Sequence, residues 1–340
     1  MASFGCANTR ALAAVSTGDM CLEETPLPGA ILTRVASSHI RVGTFQFFAA
    51  RRDTQNHKTK LTGHVIERHY PELLEADNPP LALLTAALKQ QVKLIAHWQS
   101  IGFIHGVMNT DNASVAGLTI DYGPCAFMDT YHPETVFSSI DHGSRYTYQN
   151  QPGIAQWNMA NLAQCLLSLI DGDEEKSLQA AQDVIDSFPS LFEAQYLTHF
   201  RHKIGLSSEQ ETDGKLIADL LSLMQEAKAD FTNTFRTLSL HAIFENTDAT
   251  QWLQRWNKRM EGEPNSIAER VELMQSNNPA YIPRNHRIEE IIVSANEQDY
   301  EPMQRLMGVL QNPFNEQPGM ETYAQAPTQS EVVQATFCGT

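Results

Sequence analysis

The residues best suited to chemistry lie in the stretch 105–123, HGVMNTDNASVAGLTIDYG. Asn112 stands seven residues after His105, and Asp121 opens an Asp-Tyr-Gly triplet that follows the apolar segment 118–120. An amide oxygen and a carboxylate oxygen on either side of a short strand suit Mg²⁺, which prefers such oxygens together with nucleotide phosphates. Taken singly, Asp111-Asn112 is typical of a polar turn and Asp-Tyr-Gly of a β-turn. Their combination predicts a nucleotide site with Asn112 and Asp121 as metal ligands.

Protein kinases use a similar order: a catalytic loop, a metal-binding asparagine, a strand and an Asp-aromatic-Gly turn. Their catalytic aspartate stands two residues after the histidine, where this chain has Val107. A valine side chain cannot accept the proton of an attacking hydroxyl, so ordinary phosphoryl transfer is disfavoured. Asp111 supplies a replacement carboxylate beside Asn112. The His-Gly pair and Asn112 also suggest a small-molecule phosphotransferase of the aminoglycoside type, but Val107 counts against that class.

Longer motifs carry a more specific resemblance. HGVMNTDN, LTIDYGP, DHGSRY and NQPGIAQWN resemble the selenoprotein O (YdiU) family of pseudokinases, and the resemblance runs from Thr9 to about Phe314. That family is understood to transfer AMP from ATP to protein hydroxyl groups, with the nucleotide bound in a flipped orientation. The resemblance implies ATP, Mg²⁺ or Mn²⁺, and protein substrates that carry Ser, Thr or Tyr hydroxyls. Asp111 would then act as general base toward the acceptor hydroxyl or as a second metal contact.

Two arginines complete the implied site. The sequence TRVASSHIRVGTF, which contains Arg34 and Arg41, is similar to the family segment whose arginines hold the terminal phosphate of the inverted ATP. A guanidinium group suits this role because its planar fork donates to phosphate oxygens in pairs. On residue type alone both arginines would be assigned to the surface. The resemblance favours the phosphate-binding interpretation.

The fold implied is α+β and protein-kinase-like, with a partial β-rich small lobe and a mostly helical large lobe. Residues 1–44 form the remnant of the small lobe and the hinge in this interpretation, and residues 45–314 the large lobe with the nucleotide and metal site. Residues 315–340 are rich in Gln, Glu, Pro and Thr, a composition typical of disorder. Cys338 lies where the family carries a redox-active Cys or selenocysteine, but a lone cysteine favours an ordinary tail thiol.

The elements that must position the site follow from local patterns. Residues 11–16 and 20–24 predict a hairpin around Thr-Gly-Asp, and residues 30–36 a further strand. Residues 45–52 and 61–70 predict helices separated by a polar loop. A long helix is predicted from Asn-Pro-Pro at 78–80 to near Gly102, because Leu and other apolar residues recur there at spacings of three and four. Beyond residue 172 the pattern predicts only helices.

The composition of the chain argues against several classes of partner. The net charge of −16 and the sequence pI near 5.1 argue against nucleic acid, because phosphate binding rests on clustered Lys and Arg. The sequence contains no run of 18 apolar residues, so no membrane span is predicted. Its start lacks the charged-then-apolar pattern of a secretory signal. The five scattered cysteines include no Cys-x-x-Cys pair, which favours a reducing cytoplasm over a disulfide framework or a zinc site.

The small lobe is the weak part of the resemblance. No glycine-rich loop, no Val-Ala-x-Lys-like lysine and no partner-helix glutamate is found before residue 30. The chain is shorter than family members, and roughly the first third of the family pattern is expected to be missing before Met1. The alternative function is therefore a truncated, catalytically inactive pseudokinase that only binds nucleotide or a protein partner.

Overall fold

The computed structural model describes residues 1–22, 26–51, 54–238 and 247–337, and its secondary structure is mostly helical. Cys338 lies outside the described residues. The α-helices are α1 Val42–Ala49, α2 Thr54–His69, α3 Pro79–Ser100, α4 Gln151–Ile170, α5 Glu174–Asp186, α6 Phe188–Lys203, α7 Asp213–Glu226, α8 Phe231–Leu238, α9 Thr247–Met260, α10 Ile267–Asn277, α11 Asn285–Asn296 and α12 Glu301–Val309. The strands are β1 Arg10–Leu22, β2 Pro26–Val35, β3 Phe103–Ile104 and β4 Ala126–Phe127. An α+β, mostly helical fold is thus confirmed, as is the run of helices beyond residue 172.

The first sheet is a single long hairpin of β1 and β2, and the predicted turn at residues 17–19 is wrong. β1 continues through this segment, and the register shifts between Ser16 and Met20. Gly18 lies in the left-handed region at φ +80°, which makes the Thr-Gly-Asp segment an irregularity within one strand instead of its end. The hydroxyl of Thr17 donates to the carbonyl of Gly29 across the hairpin at 3.2 Å.

The hairpin buries little of its apolar surface. Six large apolar side chains are between 50% and 73% exposed: Leu12, Val15, Met20, Ile31, Leu32 and Val35. An isolated two-stranded sheet is marginally stable in water and gains stability by packing against further elements. The hairpin therefore presents uncovered apolar surface at the amino-terminal end of the described fold.

The helices after the hairpin begin earlier than their apolar pattern predicts. α1 starts at Val42 and ends at Ala49, and α2 starts at Thr54, so most of the predicted polar loop at 53–60 is helical. Lys58 explains part of this difference, because its ammonium group donates to the Ser168 hydroxyl of α4 at 2.6 Å. This tertiary contact holds a polar turn of helix that no apolar periodicity marks. Phe47 of α1 is 52% exposed despite its aromatic side chain.

The long predicted helix is confirmed as α3, and it is the centre of the main core. Asn78 is its N-cap and accepts a hydrogen bond from the Leu81 amide at 3.2 Å. Its buried apolar residues are Leu83, Leu84, Ala87, Leu88, Val92, Leu94, Ile95, Ala96 and Trp98. α4 and α6 pack against this helix. β3 follows directly and pairs with β4 in an antiparallel ladder, so a rigid element delivers the stretch 105–123.

The end of α6 carries a buried lysine. Lys203 is 1% exposed, and its ammonium lies 4.3 Å from the ring centroid of Phe235 and 5.3 Å from that of Phe231. Burial lowers the pKa of Lys203 from 10.5 to about 7. The aromatic faces offset part of the cost of burying the charge.

Residues 315–337 differ from the expectation of disorder, because they contact the helical body. Thr336 forms a bridge with Ser138, and its hydroxyl donates to the Pro124 carbonyl. Arg284 donates to the Ala324 carbonyl at 3.0 Å. Composition could not predict these contacts, since they depend on tertiary partners that precede the tail by many residues. Among the described residues no helix is long and apolar enough to span a membrane.

Candidate nucleotide and metal site

A short backbone pairing builds the site by joining the start of α1 to the loop after His105. The Val42 amide donates to the Ala113 carbonyl at 2.9 Å, and the Val115 amide donates to the Ile40 carbonyl at 3.2 Å. Arg41 forms an antiparallel bridge with Ser114 between these bonds. Arg41 is therefore held within two residues of Asn112 along the paired segment.

Two buried side chains hold the loop side of this pairing in place. Gln91 of α3 donates to the Ser114 carbonyl at 2.7 Å, and the Tyr70 hydroxyl donates to the Val115 carbonyl at 2.7 Å. Both bonds are buried, where an unpaired carbonyl would be costly. The long helix thus fixes the segment that follows Asn112.

The guanidinium of Arg41 has an unsatisfied donor. Its Nε atom is buried and has no hydrogen-bond partner among the described residues. A buried donor without a partner is unfavourable in a folded protein, and a phosphate oxygen is the acceptor that guanidinium groups match best. This feature fits the proposed role of Arg41.

The carboxylate of Asp111 lies directly over Gly43, in the first turn of α1. A Cβ atom at Gly43 would stand 2.9 Å from the Asp111 Cγ and 3.4 Å from its Cα, and it would overlap the Oδ1 atom. Only glycine permits this approach. The first turn of a helix also favours a negative charge through its unpaired amides. Asp111 is exposed, so an acceptor from solvent can reach its carboxylate.

His105 links the two halves of the predicted metal site. It is fully buried, and its Nε2 hydrogen bonds to the Ile120 carbonyl at 2.8 Å, one residue before Asp121. Its Nδ1 accepts from the Val107 amide at 3.4 Å. Burial lowers the pKa of His105, and the neutral ring with its proton on Nε2 satisfies both bonds. His105 therefore braces the loop.

Asn112 and Asp121 both have defined geometry. The Asn112 Nδ2 donates to the Val107 carbonyl at 3.0 Å, and Oδ1 accepts no hydrogen bond from the residues that the structure describes. Asp121 is half-buried and has φ +64°, a left-handed conformation that is uncommon outside glycine and that clusters at functional sites. Residues 118–120, predicted as a strand between them, form only a bridge of Thr119 with Asn8.

Arg34 lies apart from the other predicted site residues. It lies near the end of β2, opposite Ala11, and is exposed. Among the described residues no hydrogen bond or ion pair joins it to Arg41, Asp111 or Asn112. The structure thus pairs the backbone around Arg41 with the segment that follows Asp111 and Asn112, and His105 connects that loop to the residue before Asp121. Arg34 stays on the hairpin.

Three residues that support the site were not predicted from the sequence. Gly43 admits the Asp111 carboxylate, Asn158 of α4 donates to the Met108 carbonyl at 3.0 Å, and Gln151 accepts from the His105 amide at 3.0 Å. Asn158 and Gln151 are buried polar residues of α4, and a buried polar side chain indicates a bonded partner. Trp157, on the same helix, is 43% exposed despite its large aromatic side chain.

The donor set suits a hard cation that also binds phosphate. The described residues contain no group of three or more His, Cys, Asp or Glu side chains able to hold a metal ion by themselves. One carboxylate and one amide oxygen are sufficient when nucleotide phosphates complete the coordination, as Mg²⁺ prefers. The nearby Cys125 is not a candidate ligand, because burial raises the pKa of its thiol to about 12.

Comparison with known families assigns the chain to a class of enzyme. The family described as "Protein adenylyltransferase SelO" matches residues 1–311. The chain belongs to this family, and it is an enzyme of the nucleotidyltransferase class.

Individual relatives agree with this assignment. The chain is 51% identical over 353 residues to "Protein nucleotidyltransferase YdiU" of Rhodopseudomonas palustris (strain BisB5), a match that covers all of this chain and 72% of the relative. The protein of the same description from Bradyrhizobium diazoefficiens is 50% identical, with the same coverage. That from Rhizobium johnstonii is 51% identical, and the match covers 70% of its length.

Proposed function

We propose that this chain adopts a kinase-like arrangement and transfers AMP from ATP to Ser, Thr or Tyr hydroxyls of proteins. The observation that carries the proposal is the pairing of residues 40–42 with 113–115. It brings the backbone of Arg41, whose buried Nε has no partner among the described residues, to the segment directly after Asp111 and Asn112. His105 joins that loop to the residue preceding Asp121. The family match and the names of the relatives agree with nucleotidyl transfer.

The reaction needs one proton acceptor and a fixed phosphate chain. The acceptor oxygen forms a bond to the α-phosphorus of ATP, the bond from that phosphorus to the oxygen bridging to the β-phosphate breaks, and pyrophosphate leaves. Asp111 takes the hydroxyl proton, or else serves as a second metal contact. Arg41 and Arg34 hold the terminal phosphate. Positioning and charge neutralisation supply most of the acceleration in such a site.

Mg²⁺ or Mn²⁺ held by Asn112 and Asp121 would neutralise phosphate charge near the point of attack. In this chain Val107 occupies the position of the kinase base, and its amide and carbonyl are used in bonds to His105 and Asn112. Its side chain has no group that accepts a proton. Attack on the γ-phosphorus in the kinase manner therefore lacks a base, which supports α-phosphoryl attack on an inverted nucleotide.

A binding-only role is the second candidate, and the hairpin favours it. Arg34 is exposed on a two-stranded sheet whose large apolar side chains are mostly in solvent. A phosphate ligand on such a sheet is poorly fixed, and catalysis requires close positioning. A chain with this hairpin uncovered would bind nucleotide through the α1 end of the site without transferring AMP.

The substitution Asp111→Asn separates the two candidates. It keeps the shape of the side chain and removes the proton acceptor. In the transfer proposal the variant retains ATP-Mg²⁺ binding by calorimetry and loses AMP transfer by a factor on the order of 10² or more. Glu226→Gln, which neutralises an exposed carboxylate of α7, is the control and should change neither quantity. Equal transfer by wild type and Asp111→Asn would contradict the role of Asp111.

A further inference from the structure

An exposed arginine and an exposed tryptophan form a pair beside the catalytic loop. The guanidinium carbon of Arg145 lies 4.8 Å from the ring centroid of Trp157 and 5.8 Å from that of Tyr146. Trp157 is 43% exposed, and Ile140, in the same segment as Arg145, is 61% exposed. A cation over an indole face is an attractive contact, so the two side chains are held as one surface.

The backbone that carries Arg145 is fixed by its own segment. The carboxylate of Asp141 accepts hydrogen bonds from the Arg145 amide at 2.9 Å and from the Tyr146 amide at 2.8 Å. Ser144 has φ +51°, and its carbonyl accepts from Asn150 Nδ2 at 3.2 Å. These hydrogen bonds stabilise the turn, and the Arg145 side chain is exposed on it.

The charge of Arg145 is not neutralised within the described part of the chain. Asp141 uses its carboxylate on backbone amides, and none of the ion pairs formed among the described residues includes Arg145. The chain carries a net charge of −16. An exposed, unpaired guanidinium stacked on an aromatic ring is complementary to a carboxylate from outside the chain.

The pair lies next to the residues that position Asp111. Asn158, adjacent to Trp157, donates to the Met108 carbonyl, three residues before Asp111. Asn161, one helical turn beyond Trp157, accepts from Gln46 of α1 at 2.9 Å. The aromatic ring thus belongs to the part of α4 that contacts both the loop and the helix bordering the Asp111 carboxylate.

We propose that Arg145 and Trp157 form a docking surface for the acceptor polypeptide and select an acidic residue close in sequence to the modified hydroxyl. The arginine pairs with the acidic side chain, and Trp157 and Ile140 cover apolar parts of the same segment. This inference rests on the proposed function, because it names the substrate feature that the same site recognises.

The test uses short peptides with one serine and a single glutamate moved through positions −4 to +4. Fluorescence polarisation measures their binding, and labelled ATP measures transfer. At the preferred position the glutamate should improve affinity and kcat/KM about fivefold over glutamine, the factor expected for an exposed ion pair. In Arg145→Glu the preference should invert toward lysine at that position. Arg51→Glu is the matched control, since Arg51 also lies over an aromatic ring, that of Phe47 on α1, at 3.8 Å.

The outcomes distinguish the docking surface from the proposed AMP transfer. A position-dependent preference that inverts in Arg145→Glu and stays in Arg51→Glu supports the docking surface. Its absence in wild type, or its persistence in Arg145→Glu, overturns it. Binding with the expected preference but without transfer keeps the docking surface and refutes AMP transfer. Transfer without preference keeps the function and refutes the docking surface.

Discussion

A single substitution at Gly43 can displace the Asp111 carboxylate and so test the geometry of the site. In Gly43→Ala the new Cβ atom would overlap the Asp111 Oδ1 and stand 2.9 Å from the Cγ. The carboxylate must then move by about 1 Å to reach ordinary contact distance, while its charge and chemistry remain. The variant therefore tests the position of Asp111 without removing the residue.

The expected effect of Gly43→Ala is small on stability and large on activity. Alanine is favoured over glycine within a helix by about 1 kcal/mol, which offsets part of the strain of moving a flexible exposed side chain. The free energy of unfolding should change by less than about 1 kcal/mol. A displacement of about 1 Å from the reactive geometry costs a factor on the order of 10² in rate, or roughly 3 kcal/mol in the barrier.

Thermal unfolding and AMP transfer to an acceptor protein measure the two quantities. Gly63→Ala is the matched control, because Gly63 lies in the interior of α2 and a Cβ there meets no atom within 4 Å. The control should be slightly more stable and fully active. Wild-type transfer by Gly43→Ala, or an equal loss in both variants, would show that the position of Asp111 does not control transfer.

Three further outcomes are expected. Asp121→Ala should weaken ATP-Mg²⁺ binding in calorimetry without loss of cooperative unfolding, and unchanged affinity would contradict the metal assignment. Arg41→Lys and Arg34→Lys should weaken ATP binding more than AMP binding, since lysine keeps the charge and loses the fork; an equal loss for both nucleotides would indicate a role in folding. Lys203→Met should raise the free energy of unfolding by about 4 kcal/mol at pH 7 and by little above pH 10.5. As pH falls from 10.5 to about 7, the Lys203 amine takes up a proton in the unfolded chain but not in the folded one, so the wild-type protein loses stability over this range. If urea unfolding shows a difference between the two proteins that does not depend on pH, the assignment of a lowered pKa to Lys203 is wrong.

The sequence predicted the elements whose pattern is local and strong. α3 shows this best, because its apolar spacing and its Asn-Pro-Pro start suffice to place both ends. The order of Asn112 and Asp121 around an apolar segment likewise comes from local sequence. Both features are set within a few turns of chain.

Features that depend on distant partners were not predictable in the same way. Gly18 looks like a hairpin turn locally, and only pairing with β2 makes it an irregularity within β1. Gly43 has no local sign of its role, because the Asp111 carboxylate that excludes a side chain there arrives from 68 positions later in the chain. Trp157 has helical core spacing, yet it lies at the edge where α4 meets solvent.

The exposed β1–β2 hairpin is expected to limit the rate of AMP transfer. The relatives extend beyond the matched region, since the chain covers 70–72% of their length. We expect that fusing the amino-terminal segment of a relative in frame covers the hairpin and fixes Arg34. Transfer by the fused protein should exceed that of the chain alone. Equal rates would show that the uncovered hairpin does not limit positioning.

The most direct test of the central claim is the fate of the two phosphate labels. The chain, alone and with the added segment, is incubated with an acceptor protein and with ATP labelled at the α- or the γ-phosphate. We expect α-label on an acceptor hydroxyl and no γ-label, because Val107 removes the kinase base and Asp111 serves the inverted nucleotide. Transfer of the γ-label to the acceptor would contradict this expectation.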